Sequence, residues 1–254
     1  MVFPLYDDNS DRTTTPIVNY VLIAINILVF VFLQQLGNND KFTYAFSTVP
    51  QEIISGRDVR TPDRVVEHPV TGQELEITGL QPTPGSVYLT LLFSMFMHGG
   101  LAHIGGNMLF LWIFGDNVED RMGHLRYLVF YLGTGVLASL AHVFTTAYFA
   151  TDPGSLLIPS LGASGAISGV LGGYILLYPT RRVTVILFRF LTQVPAYVAI
   201  GIWFAFQLIS GLGILGGGSQ TGGVAYAAHV GGFVAGLALV KVFTIGRTVT
   251  PNFR

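Results

Sequence analysis

A serine and a histidine stand out as reactive groups within two strongly apolar stretches of the chain. Ser164 lies in the sequence GASG, and His229 lies in the sequence AHVGG. A serine hydroxyl is a weak nucleophile unless a neighbouring base takes its proton, and histidine can be that base near neutral pH. No Asp or Glu occurs within these two stretches. We therefore predict a nucleophile–base dyad rather than a triad.

A third polar cluster, with the sequence HGGLAHIGGN, covers residues 98–107. His103 and Asn107 are four positions apart, so on a helix they share one face. Nucleophilic attack on a carbonyl creates an oxyanion, and each donor aimed at it contributes roughly 3–4 kcal/mol. The candidate donors are the side chains of His103 and Asn107 and the backbone N–H of Ser164. Candidate supporting residues of the same site are His98 and Gly162.

Each of these residues also has a plainer interpretation. A serine in an apolar helix commonly bonds back to its own backbone, and an isolated histidine can be structural. The histidines at positions 98, 103 and 229 could bind a metal, but no carboxylate or fourth ligand accompanies them. The chain also contains no cysteine. The sequence therefore predicts no metal ion and no cofactor.

Two stripes of small residues predict how the reactive groups are brought together. Glycine or alanine recurs every fourth residue at positions 165, 169 and 173, and again at positions 228, 232 and 236. Such stripes allow two helix backbones to approach closely inside a membrane. Ser164 and His229 each adjoin one stripe, so close packing of these helices would place the two side chains within hydrogen-bond reach.

The composition places these helices in a membrane. Of the 254 residues, 51% are hydrophobic and 11% are charged, against about 25% charged residues in a typical soluble domain. A net charge of −1 gives no indication of nucleic-acid binding. A helix needs about 20 mainly apolar residues to cross the hydrocarbon core. Six such stretches are present, at Pro16–Gln35, Leu101–Phe114, Leu125–Ala147, Leu161–Tyr178, Gln193–Leu212 and Val224–Phe243.

The fold class predicted from these stretches is all-α, a polytopic membrane helix bundle with six transmembrane helices in a single domain, 1–254. Lysine and arginine favour the cytoplasmic side, and nine of them lie on the inner side against four on the outer side when both termini are cytoplasmic. The predicted cytoplasmic tails are 1–15 and 244–254. Residues 36–95 form a predicted extracytoplasmic first loop, with small strands in its polar part. All three polar clusters then lie on the outer side.

A transporter is an alternative interpretation, since polar spans and glycine stripes also occur in transporters. The sequence shows no internal repeat, and its intramembrane polarity is confined to one side. Both observations argue against a path through the membrane.

The three motifs follow one another along the chain as HGGLAHIGGN, GASG and AHVGG. In this order they resemble those of the rhomboid intramembrane serine proteases over nearly the full chain, in the bacterial six-span form. The resemblance implies that Ser164 is the nucleophile, that His229 is the base, and that His103 and Asn107 belong to the oxyanion site. The sequence FGDNVEDRMG resembles the family's short structural loop, in which Glu119 and Arg121 would help to hold the fold.

The resemblance also implies a function. We expect a serine endopeptidase that cleaves single-span membrane proteins near the outer membrane boundary, through an acyl-enzyme. Small residues would be favoured beside the cut. The fifth span and the loop Gly216–Gly223 would form the gate and cap. The expected location is a bacterial plasma membrane, with the active site open to the extracytoplasmic side. The sequence does not indicate an oligomeric state.

Two positions depart from the family pattern. Some members carry a Trp-Arg pair in the first loop, which here contains no tryptophan. Some place an aromatic residue four positions after the nucleophile, where this chain has Ser168, and a hydrogen bond of Ser168 within the site is a hypothesis.

The alternative function is a catalytically inactive relative that binds membrane clients. Such relatives typically lack the serine or the histidine, and this chain retains both.

Overall fold

The structure is a computed structural model that describes residues 2–67, 72, 74–187, 189–211 and 226–247. The predicted loop Gly216–Gly223 and most of the predicted tail 244–254 lie outside these residues. The helices are α1 (Ile17–Leu28), α2 (Asp40–Ala45), α3 (Pro50–Ser55), α4 (Thr90–Phe93), α5 (Leu101–Met122), α6 (His124–Phe149), α7 (Ser164–Leu177), α8 (Ala196–Gly211) and α9 (Tyr226–Thr244). The strands are β1 (Val2–Asp7), β2 (Arg64–Glu67), β3 (Glu74–Ile77), β4 (Arg182–Leu187) and β5 (Phe190–Pro195).

The six longest helices occupy the six predicted apolar stretches. Helix α1 continues through a π-helical turn at Val29–Leu33, and α5 is longer than predicted. The sequence FGDNVEDRMG, which was predicted to be a short loop, is the end of α5 instead. Its polar residues can lie in a helix because the N-terminal segment forms hydrogen bonds with their side chains. The helix ends at Met122 and is followed by Gly123, whose φ of 80° suits glycine.

The described chain is mostly helical, but the expectation of an all-α fold is wrong in one respect. Strands β1, β4 and β5 form an antiparallel sheet in the order β1-β4-β5, and β2 pairs with β3 in the long first loop. The predicted tail 1–15 therefore contains a strand. Runs of β-branched residues, as in RVTVIL, favour strands here.

Length and composition allow some of the described helices to cross a membrane. Two of them, α6 and α9, are long and apolar enough, and the bent pair Val87–Phe96 and Leu101–Met122 makes a third if it is one span. Three further apolar helices are shorter, at Ile17–Leu33, Ser164–Leu177 and Ala196–Ile209.

Helix α7 lies at the centre of the bundle and packs against α5, α6 and α9. The α9 stripe packs directly on the α7 backbone, because a Cβ at Gly232 or Gly236 would overlap the carbonyl oxygen of Gly165 or Gly169. The predicted close approach of the two helices is therefore present.

The α7 stripe also has a second partner, α6, which was not predicted. Its three glycines face α6, where a Cβ would meet Ala138, Thr134 and Phe130 in turn. These α6 residues are also four apart, so the two stripes run side by side. Close packing on both flanks of α7 fixes the helix that carries Ser164.

Candidate active site

The structure brings Ser164 and His229 together. Oγ of Ser164 lies 2.8 Å from Nε2 of His229, which is within hydrogen-bonding distance. Ser164 is the first residue of α7, and His229 lies in the first turn of α9. The glycine contacts between these helices bring the two backbones close enough for a short serine side chain to reach the ring.

Gly162 separates Ser164 from His103. Its φ of +125° is a conformation that L side chains rarely adopt, and its N–H donates to the carbonyl oxygen of Ser94 at 2.8 Å. A Cβ at this position would lie 2.8 Å from Nε2 of His103 and 3.6 Å from Oγ of Ser164. Glycine therefore leaves open the space between the histidine and the nucleophile.

The ring of His103 is oriented by a backbone contact. Its Nδ1 accepts the N–H of Gly99 at 3.3 Å. A neutral imidazole that accepts at Nδ1 carries its proton on Nε2. Nε2 faces the gap beside Ser164, so His103 can donate a hydrogen bond there.

Asn107 supplies a second donor to the same region. The residue is buried, and its Nδ2 has no hydrogen-bond partner among the described residues. A buried amide without a partner is costly, and such groups recur at functional sites. The backbone amides in the first turn of α7 also lack partners within their own helix. Three kinds of donor are thus available near Ser164.

These groups line one cavity of about 750 Å³. This volume lies within the ordinary range for substrate-binding pockets, which is about 300–1,000 Å³. The polar lining residues that matter for the chemistry are His98, His103, Asn107, Ser164, Gln207 and His229. The cavity therefore gives a substrate access to both the nucleophile and the candidate oxyanion donors.

Gln207 was not predicted from the sequence, and it adds a third side chain to the predicted dyad. Its Oε1 lies 2.8 Å from Nδ1 of His229, on the opposite side of the ring from Ser164. Gln207 lies on α8 and is buried. The only available signal was an amide inside the apolar stretch Gln193–Leu212, since a buried amide requires a partner. The acceptor at Nδ1 is therefore an amide oxygen rather than a carboxylate oxygen.

The other two candidate supporting residues, Ser168 and His98, occupy different environments. Ser168 is buried, and its hydroxyl donates to the backbone oxygen of Ser164 at 2.6 Å, within its own helix. His98 is fully buried at the cavity wall, and its ring is 5.2 Å from that of His103. Neither ring nitrogen of His98 has a partner among the described residues. Its backbone is held on both sides by Gln34, through bonds of 2.9 Å.

Glu119 anchors α1 to the end of α5, far from the cavity. Its carboxylate accepts the N–H groups of Val18 at 2.9 Å and Asn19 at 2.6 Å, and it also bonds to His124. The carboxylate thus satisfies free amides in the first turn of α1. Arg121 makes no such bond within the described residues.

Those residues also contain no group of His, Asp or Glu side chains placed to hold a metal ion.

The sequence model of the Rhomboid domain family matches residues 85–245, which is more than half of the chain. The chain is 27% identical to rhomboid protease GluP of Bacillus subtilis over 228 residues, covering 88% of this chain and 35% of the relative. It is 32% identical to mitochondrial rhomboid protein 1 of Saccharomyces cerevisiae over 149 residues, covering 59% of this chain and 40% of the relative.

A human relative, the mitochondrial presenilin-associated rhomboid-like protein, is 32% identical over 96 residues, covering 38% of this chain and 24% of the relative. This chain spans less than half the length of each of these curated relatives. The match covers all three polar clusters of the cavity, and the chain belongs to the rhomboid family.

Proposed function

We propose that this chain is an intramembrane serine endopeptidase that acts through Ser164 and His229. The observation that carries the proposal is the 2.8 Å contact between Oγ of Ser164 and Nε2 of His229 at the wall of the cavity. The family includes proteases such as the Bacillus relative, which supports the assignment.

The geometry supports a two-stage hydrolysis. Nε2 of His229 takes the proton from Ser164, and Oγ forms a bond to the carbonyl carbon of the substrate. The resulting imidazolium then gives this proton to the amine of the departing peptide as the C–N bond breaks. An acyl-enzyme remains on Ser164. His229 next takes a proton from water, the hydroxide oxygen bonds to the acyl carbon, and Ser164 is released with its proton restored.

The oxyanion forms twice during this reaction, once in each stage, and needs hydrogen-bond donors each time. Asn107 provides an Nδ2 that has no partner among the described residues, and His103 provides Nε2–H. The backbone N–H of Ser164 provides a third donor at the start of α7. Because these groups are held by helices, they require little reorganisation when charge develops on the substrate oxygen.

The substrates that we propose are single-span membrane proteins cut near the outer membrane boundary, within or beside a lipid bilayer. The chain would cross this bilayer six times with both termini cytoplasmic, and the cavity would open on the extracytoplasmic side. The positions of the six longest helices and the distribution of lysine and arginine support this topology. We propose a bacterial plasma membrane, since a relative that covers 88% of this chain comes from a bacterium.

A fluorophosphonate probe tests the nucleophile directly, because only an activated serine reacts with it. The protein, in mild detergent, is expected to be labelled at Ser164, as mapped by mass spectrometry, and to cleave a single-span substrate. Both Ser164→Ala and His229→Ala should fall to background while keeping the wild-type melting temperature. The exposed serine at position 55 gives a matched control, since Ser55→Ala should leave labelling unchanged.

Two results would contradict this function. If the wild type neither reacts with the probe nor cleaves substrates across several lipid compositions, an inactive client-binding protein becomes the better assignment. If Ser164→Ala still cleaves, another residue is the nucleophile.

A further inference from the structure

Gln207 reaches His229 from a helix that contributes nothing else to the proposed chemistry. The residue is 8% exposed, and its side chain crosses from α8 to the ring on α9. An amide buried in an apolar helix costs free energy unless it is hydrogen-bonded. Its partner is the histidine whose other nitrogen faces Ser164.

The contact can determine which ring nitrogen carries the proton. A neutral imidazole has one N–H donor and one acceptor nitrogen. To take the proton of Ser164, Nε2 must be the acceptor, so Nδ1 must carry hydrogen. Oε1 of Gln207 accepts that hydrogen at 2.8 Å. In serine hydrolases with a third member, a carboxylate holds the same tautomer and stabilises the imidazolium.

We infer that Gln207 is a positioning residue that holds His229 in the Nδ1–H tautomer, with Nε2 directed at Ser164. The inference rests on the proposed function, since the tautomer matters only if His229 acts as a base. An amide oxygen carries only a partial negative charge. Gln207 therefore fixes the orientation of the ring and stabilises the imidazolium less than a carboxylate does.

A second side chain of the same helix supports this role. Trp203 lies one turn before Gln207, and its ring centroid is 6.1 Å from that of His229. Nearby, Phe204 of α8 stacks on Phe233 of α9 at 4.2 Å. One face of α8 thus supplies both an aromatic wall and a hydrogen bond. It follows that the His229 ring keeps the orientation that it needs to act as a base only while α8 packs against α9.

The direct test is the tautomer itself. The protein is labelled with ¹⁵N-histidine, and the His229 signals are assigned by comparison with His229→Ala. We expect the wild type to show hydrogen on Nδ1, and Gln207→Met to show a mixture of tautomers. This measurement does not require activity, so it tests the inference even if the proposed protease function fails. Hydrogen on Nε2 in the wild type would overturn the inference.

Activity provides a second test with matched variants. Methionine keeps the size of Gln207 without its acceptor, whereas Gln207→Glu keeps an acceptor at the same reach. We expect Gln207→Met to slow fluorophosphonate labelling and kcat at least about tenfold, below the roughly 10⁴-fold cost of enforcing the wrong tautomer. KM should change little.

The glutamate variant separates positioning from packing. Gln207→Glu is expected to recover most of the labelling rate that Gln207→Met loses, with an altered pH–rate profile, because a carboxylate interacts more strongly with the imidazolium. Leu208→Met, at an exposed neighbouring position on α8, should match the wild type. Equal labelling rates and superimposable pH profiles for the wild type and Gln207→Met would refute the inference.

Discussion

Gly232 of α9 lies against the carbonyl oxygen of Gly165 on α7, so close that a Cβ at position 232 would overlap this oxygen. Each glycine is near one member of the Ser164–His229 pair. The backbone contact thus sets the distance across which the serine hydroxyl meets the imidazole. The Cβ would be bonded directly to the α9 backbone and the oxygen belongs to the α7 backbone, so neither atom can move aside without shifting a whole helix.

We expect Gly232→Ala to separate the two helices, at a cost of about 1–3 kcal/mol in stability for the overpacked contact. The Ser164–His229 bond would lengthen, and fluorophosphonate labelling would slow more than the loss of folded protein explains. Melting temperature and labelling rate are measured on the same sample. Gly133→Ala is the control, because a Cβ there meets no atom within 4 Å. Similar labelling of both variants would argue against this role of the α7–α9 contact.

Asn107 offers a prediction that concerns the reaction rate rather than the fold. Its Nδ2 is buried without a partner among the described residues, so removing it breaks no hydrogen bond seen there. Loss of one oxyanion donor typically lowers kcat by roughly 100- to 1,000-fold. We expect both Asn107→Ala and the isosteric Asn107→Asp to show this loss, with an unchanged melting temperature for Asn107→Ala. Asn38→Ala, an exposed amide, serves as the control. Wild-type kcat in Asn107→Asp would remove Asn107 from the oxyanion site.

For Ser168, in contrast to Asn107, we expect no effect of a substitution on the reaction rate. Its hydroxyl donates to the backbone oxygen of Ser164 rather than to a side chain of the cavity. The hydrogen bond therefore contributes only about 0.5–1.5 kcal/mol to stability. We expect Ser168→Ala to cleave a single-span substrate at the wild-type rate. A large fall in kcat without a change in melting temperature would instead give Ser168 a part in the chemistry.

The helices and the Ser164–His229 contact could be predicted because their signals are local. Long apolar runs indicate the helices, and residues spaced four apart indicate which faces touch. The β1-β4-β5 sheet has a weaker signal in the sequence. Val2 of β1 pairs with Leu187 of β4, and such a distant pairing cannot be read from short strands. The contact of the Gly165 stripe with α6 was also missed, because small residues indicate close packing without showing how many helices take part.

Gln207 could not be predicted for a similar reason. Its contact with His229 depends on how α8 is rotated and tilted against α9, and both are set by side-chain packing rather than by spacing along the chain. Glu119 shows the complementary case. It could be identified as structural through the family resemblance, yet its partners, the amides of Val18 and Asn19, became apparent only when α1 and α5 were seen side by side.

Asp7 connects the N-terminal strand to the base of the helix that carries Ser164. Its carboxyl group accepts hydrogen bonds from the Tyr174 hydroxyl at 2.5 Å and from Nδ2 of Asn117 at 2.8 Å. Burial raises the pKa of Asp7 from 3.8 to about 7, with nearby Asp116 also raising it. The bond from Tyr174 and the charge of Arg181 oppose this shift. The folded protein therefore retains the Asp7 proton at pH values where the unfolded chain has lost it.

The sign of the effect on stability follows from this difference. Between pH 3.8 and about 7 the folded state binds more protons at Asp7, so its contribution to the free energy of unfolding falls as the pH rises through this window. We expect Asp7→Asn, which mimics the protonated acid, to remove this fall and to melt higher than the wild type at pH 8. The change in stability with pH is measured from the melting temperatures of both proteins at a series of pH values in one detergent.

A neighbouring aspartate gives the matched control for this pH series. Hydrogen bonds from Ser10 lower the pKa of the largely exposed Asp8, so its smaller contribution has the opposite sign and is lost as the pH falls. Asp8→Asn should therefore leave the fall in stability towards pH 7 in place. If Asp7→Asn keeps the same slope as the wild type, Asp7 is ionised in the folded protein. The strand would then be held to α7 by a charged contact.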